Sequence, residues 1–385
     1  MRAEPGAPHL ARRGDRGARV SGRVGVGVIG AGTISNQYLR NMTAFPDLDV
    51  VIVGDLFEDK AAEQAAAYGV PESGAPDSVL NHPDVDLVVN LTIPQAHAEV
   101  SSAALAAGKH VFSEKPFATS REAGRALLEQ ADAAGLRIGG APDTFLGAGL
   151  QTARRIIERG DIGTPLTGLT LFEVPGPVDD HRNLEVLLSR GAGPLWDMGP
   201  YYLTALSQVF GSFASVVASA RTARPQRTLL VGPKAGQVHD VQVPTHVSVL
   251  ADFAGGAESV TTLSWDSPHR RVGHVEIVGT EATLVIPDPN EFDGTLRIKR
   301  KGDDDWTDVP ATGAVGGRGL GPLDIARSIA AGVPHRASGL LAYHVLDVMA
   351  SVSESLERRA WVDVASEVPP TPAIPEDWDP YAATL

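Results

Sequence analysis

Three side chains that could move or hold a proton stand in two short segments of the chain. Lys115 lies in a Glu-Lys-Pro turn, and Asp197 and Tyr201 stand four residues apart in a later segment. Oxidation of an alcohol requires that the hydroxyl lose its proton as a hydride leaves the carbon, and these side-chain types can donate, accept or orient such a proton. The set fits hydride chemistry if another part of the chain binds a nicotinamide.

Composition removes several other kinds of chemistry. The chain of 385 residues contains no cysteine, which excludes disulfides, thiolate metal sites and thiol nucleophiles. Its eleven histidines are scattered without metal-site spacing, so we predict no bound metal. The net charge of −14 is typical of a surface that repels nucleic acid and anionic membranes, and we expect neither as a partner.

A glycine motif near the start predicts a dinucleotide site. The apolar run Val24–Ile29 suits a buried strand, and it leads directly into G-A-G-T-I-S and a helical stretch. Gly30 would allow a tight turn, and Gly32 would let the backbone approach a pyrophosphate at the helix N-terminus. Thr33 and Ile34 would border the same site. The alternative is an ordinary glycine turn.

An acidic residue ends the next predicted strand and indicates the cofactor. Asp55 follows Val50–Val53 near the spacing of about 20 residues at which a carboxylate binds the adenosine ribose. A carboxylate repels a 2′-phosphate, and the next residues, Leu56 and Phe57 among them, offer no arginine to hold one. The pattern therefore favours NAD over NADP. The alternative is that Asp55 caps the following helix.

Strands and helices alternate through the rest of the first half. Strands are predicted at Val85–Leu91, Lys109–Phe112 and Arg137–Gly140, with helices at Lys60–Tyr68, Ala96–Ala107 and Ser120–Ala134. This alternation implies an α/β fold with a doubly wound parallel sheet, whose ligands bind at the carboxyl ends of the strands. Gly30, Asp55, Thr92 and Glu114 all stand at such ends.

The second half is dominated by runs that alternate apolar and polar residues. Such runs are typical of strands with one buried face, and they occupy Leu166–Glu173, Ser215–Ala220, His246–Phe253, Glu258–Trp265 and His274–Val278. Helices are predicted at Gln151–Arg159, Gly321–Ala331 and Leu340–Glu357.

Four motifs in order resemble one family. They are the glycine motif, the turn Thr92-Ile93-Pro94-x-x-His97, the segment Gly108–Pro116 and the segment Gly193–Tyr201. Together they resemble the glucose–fructose oxidoreductase, inositol dehydrogenase and rhizopine catabolism (Gfo/Idh/MocA) family over about residues 23 to 363. The resemblance implies an N-terminal NAD(P)-binding Rossmann domain and a C-terminal α/β domain with a large, mostly antiparallel open sheet.

The resemblance leads to a division of the chain. We predict a leader over 1–22, either disordered or a mis-assigned start, and a Rossmann domain over 23–142. A domain for substrate binding and oligomerisation would cover 143–366, followed by a Pro-rich tail over 367–385. Arg12 and Arg13 suggest a twin-arginine export signal, but no apolar stretch follows them, so we expect a cytoplasmic location.

The resemblance also implies residue roles. In the family the lysine of the Glu-Lys-Pro turn lies beside the nicotinamide and the reacting carbon, which assigns Lys115. The acid of the family's D-x-G-x-H segment corresponds to Asp197, and Tyr201 stands at the histidine position, where some members carry tyrosine as the proton donor. His97 either contacts the cofactor or simply packs. The further predicted cofactor contacts are Thr92, Pro94, Glu114 and Lys115.

These roles combine into a hypothesis with two variants. In one, Lys115 binds the substrate oxygen, Tyr201 relays the proton and Asp197 orients Lys115 or a substrate hydroxyl; in the other, Lys115 carries the proton itself. We expect the Lys115 ammonium to lower the pKa of Tyr201, and Pro200 to lie in the first turn of a helix. Further candidates for the substrate side are His181, Arg182, Trp196 and His344.

The leading interpretation is an NAD-dependent dehydrogenase or reductase acting on a sugar, inositol or related polyol. A second interpretation is an enzyme that retains NAD and returns the hydride after epimerisation or glycoside cleavage. A third is a non-catalytic NAD-binding regulator. An open sheet leaves a large face uncovered, so we also expect a homodimer or homotetramer.

Overall fold

A computed structural model describes residues 22–176, 184–232 and 234–385. Apart from Gly22, the predicted leader lies outside the described residues, and so do His181 and Arg182.

The first half forms the predicted parallel sheet. Its strands are β1 (Val24–Ile29), β2 (Leu48–Gly54), β3 (Glu72–Gly74), β4 (Leu87–Asn90), β5 (His110–Ser113) and β6 (Ile138–Gly140). They are ordered β3-β2-β1-β4-β5-β6, with every neighbouring pair parallel. Chain order reverses direction between β1 and β4, which is where an open α/β sheet binds its ligand.

Helices cover both faces of this sheet. They are α1 (Ser35–Met42), α2 (Glu58–Tyr68), α3 (Pro76–Leu80), α4 (His97–Ala106) and α5 (Arg121–Ala133). The start of α5 is fixed by Ser120, whose side chain accepts a hydrogen bond from the amide of Ala123. The sequence prediction missed β3 and α3 because each is too short to show a hydrophobic period.

The second half forms a nine-stranded sheet in the described part of the chain. Its strands are β7 (Pro165–Glu173), β8 (Phe213–Arg221), β11 (His246–Phe253), β12 (Glu258–Ser264), β13 (Arg271–Gly279), β14 (Ala282–Ile286), β15 (Thr295–Arg300), β16 (Thr307–Pro310) and β17 (Val362–Asp363). Their order is β16-β15-β14-β13-β7-β12-β11-β8-β17. The pair β7 and β12 is parallel and the other neighbours are antiparallel, as predicted. A separate ribbon pairs β9 (Gln226–Thr228) with β10 (Val238–Asp240).

Five further helices follow in the second half of the described chain. They are α6 (Ala148–Glu158), α7 (Leu184–Leu187), α8 (Pro194–Phe210), α9 (Leu320–Ala331) and α10 (Gly339–Arg358). Helix α8 packs on β7, β11 and β12, whereas α10 contacts both β8 and β6. Arg121 of α5 donates to the buried carboxylate of Asp347 in α10 at 2.5 Å. Helix α10 therefore belongs to the packing of both halves.

The Pro-rich tail returns to the first half. The backbone amides of Thr384 and Leu385 donate to the Asp47 carboxylate at 2.8 and 3.1 Å. Arg327 of α9 pairs with the same carboxylate at 2.8 Å and lies over the ring of Trp378. The tail thus fastens α9 to the residue that precedes β2.

Among the residues that the structure describes, no helix is long and apolar enough to cross a bilayer.

Candidate active site

The glycine turn after β1 has the conformation that a dinucleotide site needs. Gly30 has a φ of 111°, and a Cβ there would lie 2.5 Å from the carbonyl oxygen of Leu91. Only glycine fits this position. At Gly32, by contrast, no protein atom lies within 4 Å of the place a Cβ would take. That space borders the start of α1 and is open to a ligand. Thr33 and Ile34, predicted to border this site, are the last residues before α1.

Asp55 is held beside this turn. One carboxylate oxygen accepts a hydrogen bond from the amide of Ala31 at 2.7 Å, and the other accepts from the amide of Phe57 at 2.9 Å. The residue that caps α2 is Phe57, without a side-chain hydrogen bond, so Asp55 does not serve as the helix cap. The carboxylate instead stands between the glycine turn and the end of β2.

Large apolar side chains are exposed around the same strand ends. Leu56 and Phe57 follow β2 with 85% and 64% of their surface exposed, and Ile93 follows β4 with 65% exposed. Exposed apolar groups beside a polar cleft are typical of a binding surface for a flat, apolar ring such as adenine. With the open space at Gly32 and the carboxylate of Asp55, these residues fit a nicotinamide dinucleotide.

His97 connects two turns at the floor of the cleft. Its ring is buried, and its Nδ1 and Nε2 lie 2.7 and 3.0 Å from the carbonyl oxygens of Pro116 and Thr92. The ring therefore ties the turn after β4 to the turn that carries Lys115. Of the two roles expected for His97, the structure shows packing; direct contact with a cofactor stays a prediction.

Glu114 holds the backbone of the Lys115 turn through a hydrogen bond. Its buried carboxylate accepts hydrogen bonds from the hydroxyl of Tyr38 at 2.8 Å and from the amide of Lys115 at 2.9 Å. Burial first, and then the charge of Glu114, raises the pKa of Tyr38 well above its ordinary value. The phenol therefore stays protonated and donates its hydrogen bond to Glu114. Both oxygens of Glu114 are thus used within the protein, and its predicted contact with the cofactor is untested.

The Lys115 side chain is anchored to the first turn of α8. Its Nζ donates to the Asp197 carboxylate and to the Asp197 carbonyl oxygen, both at 2.8 Å. Burial opposes the charge of Lys115, but Tyr201, Asp197 and Glu114 outweigh it and raise the pKa of the lysine above its usual range. Lys115 is therefore an ammonium, as expected of a residue oriented by Asp197.

Pro200 is not in the first turn of its helix, and that expectation was wrong. Helix α8 begins at Pro194, which places Pro200 in its second turn. Proline has no N–H, so the carbonyl of Trp196 loses its usual partner within the helix. The carbonyl that follows, that of Asp197, is the one that accepts from Lys115.

Tyr201 lies behind Lys115. Its ring is buried, with Lys115 Nζ 5.3 Å and the Arg318 guanidinium carbon 5.6 Å from the ring centre. Burial raises the pKa of Tyr201; Lys115 and Arg318 act against burial, whereas Glu114 and Asp197 reinforce it. Lys115 thus lowers the pKa of Tyr201 as expected, but burial is the larger cause and the net shift is upward. Burial destabilises the phenolate more than the two neighbouring cations stabilise it.

Arg318 is the site residue that sequence reasoning missed. Its buried guanidinium donates to the Tyr201 hydroxyl at 3.2 Å, to Asn290 at 3.0 Å and to Gln37 at 3.1 Å. It lies 117 residues beyond Tyr201 in the chain. The one sequence feature that could have drawn attention to Arg318 is its position as the single charged residue in a glycine-rich run over 313–321.

A cavity of about 530 Å³ opens beside the lysine. Its walls include Lys115, Asp197, Trp196, Pro94 and a segment over residues 186–192. Trp196, a candidate for the substrate side, lines this cavity. Among the described residues, Tyr201 is behind this wall rather than part of it.

His344 is not on the substrate side. It is fully buried in α10, where its Nε2 accepts from the amide of Phe213 at 3.0 Å and its Nδ1 lies 2.9 Å from the Ser366 hydroxyl. Its place is the core between α10 and β8. The expectation failed because one polar residue in a helix carries no signal for which face is buried.

Comparison with known proteins assigns both halves of the chain. Residues 24–140 match the model described as "Oxidoreductase family, NAD-binding Rossmann fold" (GFO_IDH_MocA). Residues 150–285 match the model described as "GFO/IDH/MocA C-terminal domain".

Individual relatives extend over most of the chain. Inositol 2-dehydrogenase 3 of Saccharopolyspora erythraea is 27% identical, covering 76% of this chain and 87% of that protein. The scyllo-inositol 2-dehydrogenase (NAD(+)) of Bacillus subtilis is 26% identical, covering 70% and 73%. The crystal structure of an NAD binding oxidoreductase from Klebsiella pneumoniae is 26% identical, with a TM-score of 0.76 over 90% of this chain and 100% of that one.

Proposed function

Because the chain belongs to the GFO/IDH/MocA family of oxidoreductases with an NAD-binding Rossmann fold, we propose that it transfers a hydride between NAD and a hydroxyl-bearing carbon of a sugar, inositol or related polyol. The observation that carries this proposal is the Lys115 ammonium, held by Asp197 at 2.8 Å in the wall of a cavity beside the dinucleotide cleft. An ammonium held in this wall can donate a hydrogen bond to the oxygen on the reacting carbon of a bound substrate.

The protein's own residues supply binding and proton handling. A bound nicotinamide would accept or give the hydride. Lys115 donates a hydrogen bond to the substrate oxygen and stabilises negative charge that develops on it. Asp197 keeps Lys115 charged and in place. A lysine with a raised pKa is a poor base at neutral pH, so Lys115 serves as a hydrogen-bond donor to the substrate oxygen. Tyr201, whose ring centre lies 5.3 Å from the Lys115 nitrogen, is the other group that can exchange the proton.

The cavity supports a small, polar substrate. Its volume of about 530 Å³ falls within the range of small-molecule sites. Its walls combine the apolar face of Trp196 with the polar groups of Lys115 and Asp197, a pairing suited to a ring that carries hydroxyls on one edge. The two relatives named for inositol oxidation support the same class of substrate.

Asp55 supports NAD rather than NADP as the cofactor. Its carboxylate is fixed next to the glycine turn at 2.7 Å from the Ala31 amide, where a 2′-phosphate would meet like charge. Leu56, the next residue, offers the phosphate no cation. The name of the Bacillus subtilis relative includes NAD(+), which is consistent with this choice.

The outer face of the nine-stranded sheet supports a homodimer or homotetramer. Leu250, Val260 and Leu169 form a cross-strand row on β11, β12 and β7, with 48%, 41% and 36% of their surface exposed. A row of apolar side chains across a sheet is typical of a surface that another subunit covers.

The experiment is a panel of polyols, inositols and keto sugars tested with NAD and NADP, followed by the absorbance of the reduced nicotinamide. We expect turnover with at least one cyclic polyol and a preference for NAD. Tight NADH binding without turnover on any member would instead favour a regulator. Conversion of substrate without added NAD, by protein that purifies with the cofactor, would favour an enzyme that retains NAD.

A further inference from the structure

Arg318 enters the candidate site from a segment to which no motif assigns a role. It lies just before α9, where Gly319 has a φ of 111°. The buried Asp143 carboxylate accepts from the amides of Gly319 and Gly321 at 2.9 and 3.0 Å. The hydrogen bonds to Asp143 therefore hold in place the backbone that carries Arg318. Only 7% of the surface of Arg318 is exposed.

The guanidinium is held by three neutral partners from three elements. They are Gln37 on α1, Tyr201 on α8 and Asn290 in the loop after β14. No carboxylate of the described residues lies within ion-pair distance of Arg318. A buried cation without a paired anion is costly, and Glu114 and Asp143 act on it only from farther away. The phenolic oxygen of Tyr201 is the contacting atom that can become an anion.

The contact also decides where the Tyr201 proton can go. A guanidinium only donates hydrogen bonds, so the Tyr201 oxygen accepts from Arg318 at 3.2 Å. Within the described part of the chain, no group accepts the phenol's own proton. The phenol's proton is therefore not used by any hydrogen bond within the described residues.

We infer that Arg318 is a positioning residue for proton transfer: it leaves the Tyr201 proton for the reacting oxygen and stabilises the phenolate that remains. This inference rests on the proposed function. In reduction, the O–H bond of Tyr201 breaks, its proton joins the substrate oxygen, and its electron pair stays on the phenolic oxygen beside the guanidinium. The hydride that the carbon receives comes from the reduced nicotinamide. In oxidation, the phenolate takes the substrate's hydroxyl proton.

Other charges near Tyr201 do not replace Arg318. Lys115 faces the ring from the Glu-Lys-Pro turn, but its Nζ is bonded to Asp197 on the same helix as the tyrosine. Glu114, at the end of β5, disfavours a phenolate. Arg318 is the cation that touches the oxygen itself.

The test is the ionisation of Tyr201, observed by ¹⁹F NMR of full-length protein in which tyrosines are replaced by 3-fluorotyrosine. Fluorination lowers the pKa of a phenol and brings the titration into a milder pH range. The Tyr201 signal is assigned by its loss in Tyr201→Phe. In Arg318→Gln we expect its midpoint to rise by about one pH unit or more, since an adjacent cation typically shifts a pKa by that amount.

Two comparisons guard against a purely structural effect. Arg327→Gln removes another largely buried guanidinium, one on α9 that pairs with Asp47, and should leave the Tyr201 midpoint unchanged. Tyr202 is an internal control in the unaltered protein, because its hydroxyl accepts from the amide of Gly273 and lies near the Asp288 carboxylate instead of a cation. Tyr201 should titrate at least one unit below Tyr202, a comparison that needs no variant to fold.

Equal midpoints in the unaltered protein and Arg318→Gln, or Tyr201 titrating together with Tyr202, would overturn the inference. The NMR result does not depend on finding a substrate. If the substrate panel fails but the midpoint shifts, the proposed function is wrong and the contact between Arg318 and Tyr201 stands. If turnover is found without a shift, the role of Arg318 is wrong.

Discussion

The two bonds between Lys115 and Asp197 limit what each residue can do. An ammonium bonded to a carboxylate and a carbonyl at 2.8 Å keeps its proton at neutral pH and still has a third N–H to offer. That N–H suits an alkoxide or carbonyl oxygen on the substrate. If Lys115 keeps that proton throughout the reaction, another group must exchange one, and Tyr201 is the neighbouring candidate.

Lys115→Met is the direct test of the lysine. We expect turnover to fall by about 10²- to 10⁴-fold, because a positioned group in proton transfer contributes that much. Binding of NADH should stay within about twofold, since the glycine turn and Asp55 are untouched. Steady-state kinetics and calorimetric titration measure the two effects. Lys301→Met, on the exposed surface, is the matched control, and normal turnover in Lys115→Met would refute the assignment.

Asp55 and Leu56 should determine the choice of cofactor. In Asp55→Ala with Leu56→Arg, the repulsion of a 2′-phosphate is removed and a cation is offered to it, so the ratio of NAD to NADP affinity should shift toward NADP by about tenfold or more. Titrations with both reduced cofactors measure the ratio. Asp59→Ala, in the first turn of α2, should leave it unchanged. An unchanged ratio in the double variant would show that the ribose lies elsewhere.

Residues near the motifs could be predicted from the sequence, and distant ones could not. Gly30 and Asp55 belong to a local pattern with a physical reason, whereas Lys115 and Asp197 were assigned through the family resemblance. Arg318 has no such pattern, because its partners lie far away in the chain and its burial depends on the fold of the loop before α9. The upward shift in the pKa of Tyr201 could not be predicted for the same reason: the effect of the neighbouring lysine was expected, but the extent of burial was not.

At the level of elements, the strand and helix predictions were right where a segment was long and periodic. β1 and the late helices appear within a few residues of their predicted bounds. Short elements such as β3 were missed, and so was the packing of α10 across both halves. Periodicity shows that α10 has a buried face, but it does not show that β8, β6 and α5 share it.

The contact of α10 with β8 should make stability depend on pH. Burial is the main cause that lowers the pKa of His344 from 6.5 to about 4, so the folded state keeps it neutral while the unfolded chain takes up a proton. Stability is therefore complete above about pH 6.5 and falls as the pH drops toward 4, by on the order of 2–3 kcal/mol for this residue. His110, also lowered to about 4 chiefly by burial, adds to the same window.

Urea unfolding between pH 4 and 7 measures this dependence. In His344→Gln the free energy of unfolding should be lower at pH 7, because the bonds to Phe213 and Ser366 are weakened, but it should change less as the pH falls. His269→Gln, at an exposed position, should keep the full dependence. A slope that is the same in His344→Gln and in the unaltered protein would contradict the neutral, buried histidine.

At the scale of the whole molecule, the two sheets are joined by more than one connection. Helices α9 and α10 contact the parallel sheet, and the tail ties Asp47 to Thr384 and Leu385. These links hold the cavity, whose walls come from both halves, in one shape. The open face of the large sheet remains on the opposite side from α8, free for another subunit.

Leu250→Glu should break the proposed subunit contact. A carboxylate at one end of the row formed with Val260 and Leu169 would be buried without a partner in an oligomer, so sedimentation should show a smaller particle than for the unaltered protein. Leu340→Glu, with a similar exposed fraction of 46% on α10, should leave the assembly unchanged. A protein that is monomeric before any substitution would exclude this use of the face.

Binding of the nicotinamide cofactor is the most direct test of the whole scheme. Calorimetric titration of the purified protein with NADH should give saturable binding with one site per chain, stronger than that of NADPH, and Gly30→Val should abolish it because a side chain there collides with Leu91. A properly folded, unaltered protein that binds neither NADH nor NADPH would contradict it.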